Sequence, residues 1–285
     1  MKSIKICVAA ITAGVVCIAA MIGILSAAIY AESESGNSFI GLMYHQVLKD
    51  ESRAGKYIIT PDELESDLAY LSENGYVSVL PSQLVKIREQ GGRLPEKTVI
   101  ITFDDGYETG LYYVLPLLKK YGMKAVINIV GSYTDEYSRI NEEGKHLSYA
   151  YLTWNEIKTL SDSGYVEIGN HTYDMHSNNG DRNGCARKKN ESDEQYRTVL
   201  YEDVDRLSDK LQQVTGKRPV AFAYPFGSLS EGSAEIIGSA GISVFMTCCE
   251  QPCSMNRNGR IVINRYNRES GRTAQQICEE FNNAF

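Results

Sequence analysis

At 285 residues, the chain is long enough to bury a sizeable core without staples, and α/β barrels reach this length as single domains. Its 36 acidic and 29 basic residues leave a formal net charge of −7, which excludes the clustered Lys and Arg surface of a nucleic-acid binder.

The first segment differs from the rest. Lys2 and Lys5 precede an uncharged apolar run over residues 6–31. As a helix it would reach roughly 39 Å, more than the ~30 Å hydrocarbon core of a bilayer. The lysines before it and Glu32 and Glu34 after it predict an N-terminus inside and a body outside. The run reads as one N-terminal transmembrane helix. A cleaved signal peptide is the rival reading, with Ser26-Ala27-Ala28 as its cleavage site, but the apolar stretch is unusually long for that role. Residues 32–38 (ESESGNS) read as a polar linker, and residues 39–285 as the body of the protein.

From residue 39 onward strand-like and helix-like stretches alternate. "FIGLMYHQV" is an apolar strand candidate. Thr60-Pro61-Asp62-Glu63 is a capping box with proline at the first helical position, followed by Leu64, Leu68 and Leu71 on one face. "TVIITF" (98–103), a short helix reaching Lys120, and "KAVINIV" (124–130) follow. Next come a glycine-closed helix at 153–164, the strand "YVEIG" (165–169) and the longest helix, about 193–215. "PVAFAY" (219–224), a helix at 230–239, the strands "GISVFMT" and "RIVINRY", and the helix "TAQQICEEF" complete the series. The long polar stretches 131–152, 177–192 and 248–260 read as rim loops. This alternation predicts an α/β fold of parallel βαβ units, and about seven repeats suit a barrel better than a small open sheet.

In such folds ligands bind at the C-terminal ends of the strands. There "TVIITF" runs into Asp104-Asp105-Gly106, "YVEIG" into Asn170-His171, and "PVAFAY" into Pro225-Phe226-Gly227. His171 and His176 are two of only four histidines. Five residues advance a helix by roughly 500°, so these two share a face only if they sit on a loop that turns back. Two histidines and one carboxylate make a catalytic zinc site with an open position. Asp104 and Asp105 offer the carboxylate, and because neighbouring side chains diverge, one binds metal and the other is free to act as a base.

The ordered motifs "TFDDG", "HTYDMH" and "FAYPFG", with "LTWNEIKTLSDSGYVEIGNHT" and "LMYHQV", resemble the polysaccharide deacetylase family, the NodB-homology domain of carbohydrate esterase family 4. The five-residue histidine spacing is similar to that of its exported poly-N-acetylglucosamine deacetylases. The resemblance implies a distorted (β/α)7-type barrel. It implies Asp104 as general base, and Asp105, His171 and His176 as ligands of a divalent metal, most often zinc, with Thr172 bracing the histidine loop. The backbone N–H of Phe226 is the candidate oxyanion donor, since Pro225 has none.

Two departures stand out. An amine leaving group needs a general acid, yet the late strand "RIVINRYNR", where many relatives carry a histidine, has none. His45 in "MYHQV" takes that role here. Ala223 stands where many relatives have the arginine that orients the base, so Arg265 or Arg268 must substitute, and Arg265 lies nearer the strand.

The expected function is metal-dependent removal of N-acetyl groups from an extracellular amino-sugar polysaccharide, peptidoglycan or poly-N-acetylglucosamine, by a domain held outside the cell membrane. Alternatives are an O-acetyl polysaccharide esterase and a non-catalytic glycan-binding surface protein. A non-haem iron oxygenase shares the ligand types but leaves the second aspartate unexplained. Beyond the apolar run five cysteines remain: Cys185, Cys248, Cys249, Cys253 and Cys278. Being odd in number they cannot all pair, and Cys248, Cys249 and Cys253 are read as one local disulfide or as buried free thiols.

Overall fold

The computed structural model describes residues 38–283, apart from 141–145, 179, 181 and 256–258. The expected membrane helix at 1–31 and nearly all of the linker lie outside the described residues. Among those described, no helix is long and apolar enough to cross a membrane.

The strands, in chain order, are β1 (Ser38–Tyr44), β2 (Gln46–Val47), β3 (Ile58–Ile59), β4 (Val77–Ser78), β5 (Thr98–Phe103) and β6 (Ala125–Ile129). They continue as β7 (Val166–Asn170), β8 (Ala221–Ala223), β9 (Val244–Met246), β10 (Cys253–Ser254), β11 (Ile261–Ile263) and β12 (Tyr266–Asn267). The neighbours β1, β5, β6, β7, β8, β9 and β11 all pair in parallel. Such strands are covered on both faces, which is why every residue of "TVIITF" is buried rather than every second one.

One segment closes the sheet. Its first half, β11, pairs with β9 through Ile263↔Met246, and its second half, β12, pairs with β1 through Leu42↔Tyr266. The result is the expected α/β barrel of seven strand positions, distorted at its seam. "RIVINRY" is therefore not one strand but two, separated by Asn264 and Arg265. Gly41 on β1 makes room for the break: a Cβ there would lie 2.3 Å from the Asn264 carbonyl oxygen.

The helices are α1 (Pro61–Glu73), α2 (Pro81–Glu89), α3 (Leu115–Tyr121), α4 (Gly131–Tyr137), α5 (Trp154–Asp162), α6 (Asp193–Thr215), α7 (Ser233–Ser239) and α8 (Ala274–Asn282). The boxes at Thr60, Thr153, Ser192 and Thr273 start α1, α5, α6 and α8 by satisfying otherwise orphaned backbone donors. Helix α6 lays Tyr196, Leu200, Val204, Leu207 and Leu211 against the barrel at helical spacing.

Several sequence expectations change. The stretch 131–152 opens with α4, whose first residue, Gly131, packs so tightly on Tyr173 that a Cβ would stand 2.5 Å from its ring. The stretch 248–260 contains β10, which pairs antiparallel with β1. The helix expected from 230 begins at Ser233, after the left-handed Gly232. All five described cysteines are free thiols, with Cys185, Cys253 and Cys278 buried and Cys248 and Cys249 exposed.

Candidate active site

The C-terminal ends of β5, β7 and β8 meet at one cavity of about 480 Å³, lined by His45, Asp104, Asp105, His171, His176 and Phe226 among others. Among the described residues three non-glycines have left-handed backbones: Asp105 (φ 72°), Thr172 (φ 72°) and Phe226 (φ 58°). One follows each of these three strands. Such conformations typically cost about 1–3 kcal/mol apiece and persist only where the surroundings enforce them.

At Asp105 the reversal separates two adjacent carboxylates. Asp105 Oδ1 lies 3.1 Å from His176 Nε2 and 3.5 Å from His171 Nε2, while Asp104 faces Arg265. The ligand atoms of Asp105, His171 and His176 all lie within 4.8 Å of one another. Donors about 2.1 Å from a shared tetrahedral ion stand roughly 3.4 Å apart, so this set fits a zinc-sized cation with a position left open.

Neighbouring groups aim the histidines. His171 Nδ1 donates to the Ala223 carbonyl at 2.8 Å, which fixes the tautomer and leaves the lone pair on Nε2, the nitrogen that faces Asp105. Asn170 Oδ1 accepts from the Thr172 N–H at 2.9 Å, and Thr172 Oγ1 accepts from the Met175 N–H at 3.2 Å. Asp203 on α6 accepts from the N–H groups of Tyr173 and Asp174 at 2.7 and 2.8 Å. The Tyr133 hydroxyl donates to the His176 carbonyl at 3.1 Å and lies 3.4 Å from its Nδ1. The pair is thus brought together by a loop, not a helix. Tyr133 also begins a wall of packed rings at the rim, 4.6 Å from Tyr151, which stacks on Tyr107 at 4.9 Å.

Asp104 is held apart from that triad. Arg265 donates Nη1 to Oδ1 and Nη2 to Oδ2, each at 2.8 Å, and Asn128 adds a bond to Oδ1 at 2.7 Å. Burial pushes the Asp104 pKa up, but the charges of Arg265 and His171 outweigh it and hold the carboxyl well below its usual range. Asp105 behaves similarly: burial raises its pKa, and the bonds from His171 and His176 bring it far below normal.

His45 lines the same cavity. Its Nδ1 is buried and has no hydrogen-bond partner among the described residues, and its ring lies 4.7 Å from that of Tyr57. Burial lowers its pKa, against the opposing pull of Asp105 and Asp104. Phe226 is 47% exposed, and its ring sits 4.7 Å from that of His176. Arg268 goes elsewhere: its Nε donates to buried Asp67 at 2.6 Å. The sequence reading missed Asn128, Tyr133 and the Ala223 carbonyl. Only Asn128 carried a signal, as the one polar residue in the strand "AVINI" (125–129).

The sequence profile described as Polysaccharide deacetylase matches residues 91–245 of this chain. The chain is 26% identical over 229 residues to the poly-beta-1,6-N-acetyl-D-glucosamine N-deacetylase of Escherichia coli (strain K12), covering 74% of this chain and 34% of that protein. It therefore spans about a third of the length of that relative. It is 23% identical over 234 residues to the protein of the same name from Staphylococcus aureus (strain MRSA252), covering 78% and 76% of the two chains. The solved de-N-acetylase from Aggregatibacter actinomycetemcomitans has a similar fold, with a TM-score of 0.73 at 25% identity over 85% of this chain and 99% of that one.

Proposed function

The chain belongs to the polysaccharide deacetylase family, and from that premise we propose that it hydrolyses the N-acetyl groups of an extracellular amino-sugar polysaccharide, releasing acetate. The observation that carries this reading is the pairing, in one cavity, of a triad spaced for a metal with a separately clamped, ionised aspartate. The names of the E. coli and S. aureus relatives favour poly-N-acetylglucosamine over peptidoglycan as the polymer.

Asp105, His171 and His176 would hold the cation, with zinc the ion that best suits this nitrogen and oxygen set. When bound, it would supply Lewis acidity toward the acetamide carbonyl and lower the pKa of water.

The remaining chemistry belongs to the chain. Asp104 takes the proton of the attacking water, a task for which Arg265 keeps it ionised and oriented. The backbone N–H of Phe226, a left-handed residue lining the cavity, stabilises the developing oxyanion. His45 protonates the departing amine. Burial lowers its pKa, which eases release of that proton, while the nearby Asp105 and Asp104 carboxylates oppose the shift. The apolar run at 6–31 supports a membrane-anchored protein whose catalytic domain lies outside the cell.

The deciding experiment measures acetate release from β-1,6-linked N-acetylglucosamine oligomers and from purified peptidoglycan, with metal stripped and then restored. Release that needs zinc and Asp104 is expected. Release indifferent to both would end the proposal.

A further inference from the structure

A second depression of about 470 Å³ adjoins the catalytic cavity, and His176 and Phe226 line both. Its other walls include Ser132, Tyr133, Asp174 and Asn178. Hydroxyl and amide groups beside exposed aromatic faces suit a pyranose ring, and the volume lies within the range of small-ligand sites. Among the described residues no lysine or arginine lines it, and Asp174 brings its one full negative charge.

Asp174 is well placed but unused. Its backbone N–H is fixed by Asp203, while its exposed carboxylate makes no hydrogen bond or ion pair among the described residues. It also borders a separate hollow holding Arg182 and Lys188. Arg182 is committed to Glu191, and neither cation comes within ion-pair distance of Asp174.

An N-acetylglucosamine unit in this depression would offer the carboxylate only a neutral amide. A glucosamine unit would offer an ammonium group. We propose that the depression binds a glucosamine residue of the polymer, already deacetylated, beside the unit whose acetamide occupies the catalytic cavity. This inference rests on the deacetylase reading and adds to it: the product of one turnover is the preferred neighbour for the next, and deacetylation proceeds in blocks.

The test compares a fully acetylated N-acetylglucosamine tetramer with tetramers carrying one free amine on either side of an acetylated unit, at a pH where the sugar amine is charged. Wild type should favour one mixed isomer by roughly two- to fivefold in kcat/KM, the range of a solvent-accessible ion pair. Raising the salt should shrink that preference. Asp174→Asn should abolish it while leaving metal content and the rate on the fully acetylated tetramer unchanged. Equal rates on all tetramers in wild type, or a preference that survives Asp174→Asn, would overturn the proposal.

Direct binding separates this from failure of the catalytic reading. If no tetramer releases acetate, the deacetylase proposal falls. The subsite is then read from the affinity for a glucosamine tetramer, which should weaken roughly two- to fivefold in Asp174→Asn. Unchanged affinity would overturn it.

Discussion

Arg265 meets Asp104 fork to fork, two bonds of 2.8 Å between side chains that are 0% and 3% exposed. A buried carboxylate so paired stays ionised because the guanidinium cancels the cost of burial. In Arg265→Met that cost is unopposed by the fork, so the Asp104 pKa rises. The acid limb of the kcat/KM profile should then move to higher pH. Breaking the pair should also cost about 3–5 kcal/mol of stability, read by denaturant unfolding. In wild type the sign is the usual one for a depressed carboxyl: the stabilisation is present above the unfolded pKa of about 3.9 and is lost as pH falls below it. An unmoved acid limb in Arg265→Met would show that Asp104 is not the base.

Each of Asp105→Ala, His171→Ala and His176→Ala should lower bound zinc, measured by elemental analysis, and abolish acetate release. Chelation of wild type should do the same reversibly. Full zinc content in any of the three would remove that residue from the ligand set.

For Asp104→Asn the expected outcome is different: metal retained, turnover reduced by about 10²–10⁴, the usual contribution of a positioned base. An accompanying loss of zinc would assign Asp104 to the metal instead.

His45→Gln tests the acid. Zinc content should be unchanged while kcat falls, again by about 10²–10⁴. A substrate with a better leaving group should be affected less, because its departure needs less protonation. Equal loss on both substrates would remove His45 from the proton path.

Gly41→Ala probes the seam of the barrel. Its Cβ would lie 2.3 Å from the Asn264 carbonyl oxygen and 3.2 Å from Arg265 Cγ. Relief of that overlap must shift the break that positions Arg265. A loss of about 1–3 kcal/mol in stability is expected, together with reduced kcat. Wild-type stability and turnover would show that the seam yields freely.

Much of the site was legible because parallel barrels announce their chemistry at strand ends, where an apolar run stops at Asp104, Asp105 or His171. The capping box at Thr60 was equally readable, since it depends on neighbours in sequence; those at Thr153, Ser192 and Thr273 follow the same pattern and went unread. What depends on distant partners was harder. Arg265 was narrowed to one of two arginines, but the break that turns it inward arises from strand pairing on both sides, and nothing in "RIVINRY" marks it. Asn128 passed unread within a core strand, because its partner Asp104, 2.7 Å away, lies at the end of another strand. Tyr133 was assigned to a loop, because α4 is a short helix without the polar cap that betrays the longer ones.

The seam also sets an order of events during synthesis. All three proposed metal ligands and the proposed base are made before residue 177, yet the guanidinium that keeps the base charged and the strand that locks the wall arrive only at 261–267. A chain cut short ahead of that point carries a cation trap with nothing to drive it. The proposed base thus waits for a segment made more than 80 residues after the last proposed metal ligand.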